Sequence, residues 1–259
     1  MKNLINRKKG IFSTTIISVL FCAIFLGCSK EYVPVSITCE QIVMDSTLDV
    51  NPDVEIVETL DFYKNQIDSV MNQQIGIAAV AMPSGKPQSL LANFTADILR
   101  FSGEEYLKKP VSLALMNNGG LRAPIAKGPV TVEDIFKVFP FENAMVLVKL
   151  NGVQVKELFK RIAAIGGEGL SGCQLVVKDN KVVSLKIDAK PVEDNNEYWL
   201  ATIDYLADGN SGMSVLEKAS ERVDTGILLR DVMLNYIKAQ TAQGKELTSS
   251  FDDRIDILK

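Results

Sequence analysis

The feature that most restricts the fold is an alternation of two hydrophobic periods between residues 37 and 258. Ile56, Leu60, Tyr63, Ile67 and Met71 recur every three or four residues and predict a helix, with Asn51-Pro52-Asp53 as its start and Pro52 in the first turn. Leu90, Phe94, Ile98 and Phe101 mark a second helix over residues 89–101, and residues 153–165 a third, ended by Gly166-Gly167. Thr131-Val132-Glu133-Asp134 has the form of a capping box, with aspartate for the usual Glu or Gln; it opens a short helix that stops at Pro140. Residues 227–239 form the last helix. Between these lie short apolar runs that read as strands: residues 37–44, 75–81, 111–116, 144–150, 199–203 and an edge strand at 255–258. Residues 174–177 and 182–187 predict a hairpin around Asp179-Asn180, which argues against a purely parallel sheet. The expected class is α/β (α+β): a single domain over residues 37–259, with a mixed β-sheet flanked by helices.

The first 27 residues are set apart from this pattern. Lys2, Arg7, Lys8 and Lys9 precede an apolar run over residues 11–26, broken only by Ser13, Thr14, Thr15 and Ser18. The run ends at Phe25-Leu26-Gly27-Cys28, which resembles a bacterial lipoprotein signal with phenylalanine where leucine is usual. The expectation is a signal peptide over residues 1–27, lipidation of Cys28, and a tether over residues 28–36. The alternative is an uncleaved membrane helix, for which the run is short against a span of ~20 residues. A lipid at Cys28 places the chain in the cell envelope, facing the periplasm or at the outer membrane, with the folded part in water.

The formal charge is -4, and removing residues 1–27 takes away four positive charges and no negative ones. The remaining body has 24 Lys and Arg against 32 Asp and Glu, a net of -8. Such a body has no field that favours a nucleic-acid polymer, and no basic stripe with interleaved aromatics is present. The chain contains no histidine. That removes a Ser-His-Asp or Cys-His site, a histidine general base and any imidazole-dependent zinc site. Carboxylate, arginine or lysine chemistry remains, as does binding without catalysis. Of four cysteines, Cys22 lies in the leader and Cys28 is the lipid site. Cys39 and Cys173 are read as two buried free thiols, with a disulfide in an oxidising compartment as the alternative.

Three stretches carry candidate chemistry. In Leu115-Met116-Asn117-Asn118-Gly119-Gly120-Leu121-Arg122 a strand ends, two glycines permit a sharp bend, and an arginine follows. Asn117 donates and accepts, and Arg122 offers a planar fork suited to vicinal hydroxyls or an anion; a polar turn with a solvated arginine is the alternative. Phe139-Pro140-Phe141-Glu142-Asn143-Ala144-Met145 taken alone is a helix-to-strand connection with aromatic anchors. Thr202 to Met213 packs Asp204, Asp208, Gly209, Asn210, Ser211 and Gly212 into an unusual turn whose spacing is not that of an EF-hand.

In this order the stretches resemble the C-terminal domain of the bacterial and animal 5'-nucleotidase family. That family includes UDP-sugar hydrolase and 2',3'-cyclic-nucleotide phosphodiesterase. The family pattern N-G-G-G-I-R is matched by Asn117 to Arg122, and G-x-I-T-x-x-D by Gly128-Pro129-Val130-Thr131 with Asp134. P-F-x-N is matched by Pro140 to Asn143, L-x-G by Leu150-Asn151-Gly152, and N-D-F-L-A-x-G-G-D-G-Y/F by Asp204 to Met213. An upstream N-L-x-x-D-A element is matched by Asn93-Phe94-Thr95-Ala96-Asp97-Ile98.

The resemblance implies a domain that binds the nucleoside part of a nucleotide. Hydrolysis falls to a metallophosphoesterase domain with two metal ions held by aspartate, asparagine and histidine. These 259 residues have no histidine for such a domain. The resemblance therefore implies a substrate-binding half that partners a separate metallophosphoesterase subunit, with no cofactor of its own and divalent metals expected only in that partner chain. Residue by residue, it puts Asn117 and Arg122 where the family hydrogen-bonds the ribose, with Gly119 and Gly120 in the same substrate-binding stretch. It puts Met145 and Met213 where the family stacks the base between two aromatic rings. A further family arginine falls near Gly85, where Lys86 is the nearest cation. A binding lipoprotein whose pocket has drifted from nucleosides is the alternative.

Overall fold

The computed structural model describes residue 39 and residues 41–50 and 52–258. The leader at residues 1–27, Cys28 and the tether at residues 28–36 lie outside the described residues. The chain divides into two units, Met1–Val54 and Glu55–Lys259. In the first, residues 41–44 are irregular rather than the end of a strand over 37–44, and a 3-10 turn spans Ser46–Val50. Ile42, Val43 and Met44 are exposed there, and no described strand pairs with them.

Helix α1 (Val54–Met71) starts on the last residue of the first unit and is five turns long, as its period predicts. Leu60, Tyr63 and Ile67 on its apolar face are 61%, 59% and 55% exposed, and of the stripe Met71 packs against the core. Helix α2 (Leu90–Leu107) starts at Ser89, whose hydroxyl accepts the N–H of Ala92. It runs six residues past Phe101, through Gly103. A Cβ on Gly103 would lie 2.7 Å from a Leu147 methyl, so this glycine is a close-packing position and not a break.

Among the described residues the strands form three sheets instead of the single one expected. The central sheet has the order β10 (Glu221–Leu228), β4 (Ala144–Asn151), β9 (Glu197–Ile203), β2 (Leu113–Met116), β5 (Gly169–Ser171). It is antiparallel except where β2 runs parallel to β9. A second sheet orders β11 (Ile255–Leu258), β6 (Cys173–Lys178), β7 (Lys181–Ile187) and β8 (Lys190–Pro191), with β11 parallel to β6. Strands β1 (Gln74–Ala78) and β3 (Gly128–Thr131) pair by themselves. The sheets are thus mixed, as the hairpin required. Asp179 and Asn180 turn that hairpin at φ of 49° and 58°.

Helix α3 (Val132–Val138) opens on the expected box, with Asp134 accepting the Thr131 N–H and Thr131 accepting the Asp134 N–H. Helix α4 (Gly152–Ala164) has a second box, Asn151 with Gln154. The short helix α5 (Asp204–Ala207) follows β9, and α6 (Leu229–Ala242) follows β10.

An ion-pair network joins the two larger sheets. Arg254, next to β11, donates to both carboxylate oxygens of Asp97 on α2 at 3.1 Å and to the Leu170 carbonyl of β5 at 2.7 Å. Asp252 accepts two further bonds from the same guanidinium, each 2.7 Å, and Asp97 also accepts the Ser171 hydroxyl at 2.6 Å. Burial opposes the charge of Arg254, but the bonds to Asp252 and Asp97 outweigh it and hold its pKa above the ordinary value. Cys39 and Cys173 are free thiols; Cys39 is exposed, not buried, and burial pushes the Cys173 thiol up to about 12.

The hydrogen bond from Arg254 holds the Asp252 carboxyl below its usual pKa. Its contribution to stability is therefore complete above the unfolded-state value of about 3.9 and lost as pH falls through the lower folded value. Urea unfolding between pH 6 and pH 3 should show a smaller acid loss of stability in Asp252→Asn than in the unmodified chain.

Candidate functional site

Strand register collects the three chemistry-bearing stretches at one end of the central sheet. Strands β2 and β9 run parallel and end there at Met116 and Ile203, while β4, antiparallel to β9, begins there at Ala144. Asn117, Asn143 and Asp204 therefore follow or precede three neighbouring strands. The Thr202 hydroxyl donates to the Leu115 carbonyl at 2.9 Å, and the Asp204 carboxylate accepts the Ala144 N–H at 3.1 Å, tying the stretches together. Asn143 accepts the Leu229 N–H, and Arg230 donates to the Phe139 carbonyl while lying 4.1 Å from the Phe136 ring centroid. The start of α6 thus clamps the second stretch.

The first stretch is a 3-10 turn over Asn118–Gly120. Gly120 donates to the Asn117 carbonyl, Leu121 to that of Asn118, and Arg122 to Val138 at the end of α3. A Cβ on Gly120 would stand 2.6 Å from the Met116 methyl and 3.1 Å from Asn117 Oδ1, so the turn closes over the Asn117 amide only because no side chain intervenes. Asn117 is 8% exposed, whereas Gly119 and Arg122 are at the surface. The Arg122 guanidinium makes one long contact, 3.4 Å to the Gly119 carbonyl. It is available to an incoming group.

Sequence reasoning did not single out Glu168. It lies just before β5, is 6% exposed, and its Oε2 accepts the Asn118 N–H at 2.6 Å. Lys86 stands 3.6 Å from Oε1 and donates to the Ile165 carbonyl at 2.7 Å. The nearest cation to the missing family arginine is therefore engaged with Glu168, beneath the turn. Asn117 Oδ1 and both side-chain amide atoms of Asn118 are buried and have no partner among the described residues. Each such orphan costs about 1–3 kcal/mol unless a ligand or water pairs it.

Met145 and Met213 are 1% and 0% exposed. Both belong to the core cluster, so neither presents a platform in this conformation. The exposed rings at this end of the molecule are Phe141 and Tyr205, 49% and 41% accessible. The third stretch is a strained turn: Gly209, Ser211 and Gly212 have φ of 79°, 56° and 77°. A Cβ on Gly212 would lie 2.7 Å from the Arg161 guanidinium. Asp208 pairs with Arg222 at 2.6 Å, which makes it a structural ion pair.

No group of three His, Cys, Asp or Glu among the described residues has a geometry that holds a metal ion. A cavity of about 350 Å³ lies elsewhere, lined by Arg100, Cys173, Gln174, Lys186, Asp252 and Arg254, and contains none of the turn residues.

Residues 71–218, more than half of the chain, match the family described as 5'-nucleotidase, C-terminal domain. The chain belongs to that family. It is 26% identical over 216 residues to the trifunctional nucleotide phosphoesterase protein YfkN of Bacillus subtilis, covering 75% of this chain and 14% of that protein. It is 30% identical over 130 residues to protein UshA of Yersinia enterocolitica, covering 48% of this chain and 24% of that one. The crystal structure of the 5'-nucleotidase precursor from Thermus thermophilus superposes with a TM-score of 0.68 at 25% identity, over 78% of this chain and 43% of that chain. The chain thus spans less than half the length of these relatives. Its fold is that of the family's C-terminal domain, and the three stretches fall within the matched span.

Glu168→Ala leaves the Asn118 N–H without its acceptor and should lower stability by about 1–3 kcal/mol in urea titrations. Glu168→Gln keeps an acceptor there and should recover most of that loss.

Proposed function

We propose that this chain is the substrate-binding, accessory part of a 5'-nucleotidase-type phosphoester hydrolase system in nucleotide catabolism. A separate metallophosphoesterase chain carries out the hydrolysis. The observation that carries the reading is the turn at Asn117–Arg122: a surface guanidinium beside a buried amide that lacks a partner, in a member of the 5'-nucleotidase C-terminal domain family. A nucleoside or nucleotide offers the vicinal hydroxyls that such a pair binds. The absence of histidine supports the division of labour, since these residues supply no imidazole to a two-metal site. The acidic balance agrees with a small ligand and no nucleic-acid polymer.

In this reading Cys28 carries a lipid that fixes the chain to the membrane surface of the cell envelope, facing the periplasm or at the outer membrane. The burial of Met145 and Met213 favours a second reading, a lipid-anchored binding protein whose pocket no longer takes nucleosides and has no link to hydrolysis.

Calorimetric titration separates the two. Adenosine or uridine binding that Arg122→Ala weakens by at least about tenfold supports the first, and no binding of either nucleoside supports the second. The purified chain should release no phosphate from any nucleotide with or without divalent metal, and a metallophosphoesterase should co-purify with it from native membranes. Metal-dependent phosphate release by the chain alone refutes the division of labour. Cys28→Ser should move the protein from the membrane to the soluble fraction; unchanged fractionation refutes the anchor.

A further inference from the structure

We infer that the exposed stripe of helix α1 is a docking surface for a second copy of this chain, with the two helices paired side by side in parallel. Ile56, Leu60, Tyr63, Ile67 and Val70 follow one another at steps of four, three, four and three residues. That is the repeat of a coiled-coil seam, in which Leu60 and Ile67 take the a positions and Ile56, Tyr63 and Val70 the d positions. All five are more than half exposed, and no residue of the helix is buried. Met71 packs against the core, so the last turn holds the helix to the body while the seam stays open to solvent. A helix that served only its own domain would turn such a stripe inward.

The charges on the helix favour a copy of itself over an unlike partner. In this register the carboxylates Glu55, Glu58, Asp61 and Asp68 occupy the b, c and f positions, away from the seam. The flanking e and g positions hold Val57, Lys64, Thr59 and Gln66, and none of these is acidic. Two parallel copies therefore set Thr59 of one against Lys64 of the other and bring no carboxylates together, although each body is acidic overall. An unlike partner imposes no such condition on this helix, whereas a self-paired seam requires it. The helix has 18 residues and is about 27 Å long. Pairing the five side chains removes on the order of 1,000 Å² from water over both copies, the lower limit of a specific interface. The pair is weak by that measure, and a shared membrane surface strengthens it by raising the effective concentration. The Cys28 anchor proposed above supplies such a surface, but the seam itself does not depend on it.

The test is sedimentation equilibrium of the purified full chain in density-matched detergent, from about 5 to about 500 µM. The mass should rise from one copy towards two across this range. Leu60→Lys combined with Ile67→Lys puts ammonium groups into both a layers and should weaken the association at least about thirtyfold. Phe62→Lys, on a side chain just as exposed but at a c position, should change it by less than about twofold. Thr59→Glu, set against Lys64 of the second copy, should tighten it by about threefold at low salt, and the gain should vanish at about 1 M salt. These side chains are exposed, so the thermal midpoint of each variant should be unchanged. A chain that stays a single copy throughout overturns the inference. So does association that survives the double variant or falls as far in Phe62→Lys, since the leader or a general stickiness then accounts for it. A Thr59→Glu variant without effect overturns the parallel pairing. Co-purification of a metallophosphoesterase that the double variant abolishes, from a chain that is a single copy by itself, gives the face to that enzyme instead.

Discussion

The guanidinium of Arg254 is the point on which the two larger sheets depend. It reaches a carboxylate on α2, a carbonyl on β5 and a carboxylate two residues away, so one buried charge is bonded to helix, central sheet and C-terminal segment together. Asp97 and Asp252 share the compensation of that charge, so the guanidinium stays paired with one carboxylate when the other is removed. The same carboxylate, Asp97, receives the hydroxyl of Ser171, which in turn accepts from Arg100. Strand β5 is thereby fixed against α2. Glu168, one residue before β5, is delivered to the underside of the Asn118 turn as a consequence.

That turn sits at the end of a sheet in which β2 and β9 point the same way and β4 points back. Such an arrangement gathers segments separated by more than eighty residues into one place without any of them being bent far from regular geometry. The surface it makes is polar and incompletely bonded at Asn117 and Asn118, while the hydrophobic positions beside it are filled by methionine side chains turned into the core.

Much of the fold was legible because it depends on local periodicity. The helix from Val54, the box at Thr131 and Asp134, the hairpin at Asp179-Asn180 and the edge strand from Ile255 each follow from residues within a few positions of one another. Strands β3, β5 and β10 were not legible. Gly128–Thr131 and Gly169–Ser171 are too short and glycine-containing to show a period, and Glu221–Leu228 pairs only with β4 at the sheet edge, its polar residues masking alternation. Helix α2 runs on through Gly103 because Leu147, more than forty residues away, needs the space. In the site, Asn117 and Arg122 could be named from their residue types and order. Glu168 could not, since nothing near it in the chain marks a carboxylate that will bond an N–H fifty residues earlier.

The sequence by itself determined the secondary-structure periods, the mixed class, the ordered motifs and the lack of any imidazole. These are properties of composition and short spacing, which folding does not alter. Only the tertiary structure decided that three sheets form instead of one, that Glu168 and Lys86 brace the turn, and that Met145 and Met213 lie inside. Burial and pairing are set by contacts between segments far apart in the chain. The same methionine is a ligand platform or a core side chain according to what packs over it, and no local pattern records that.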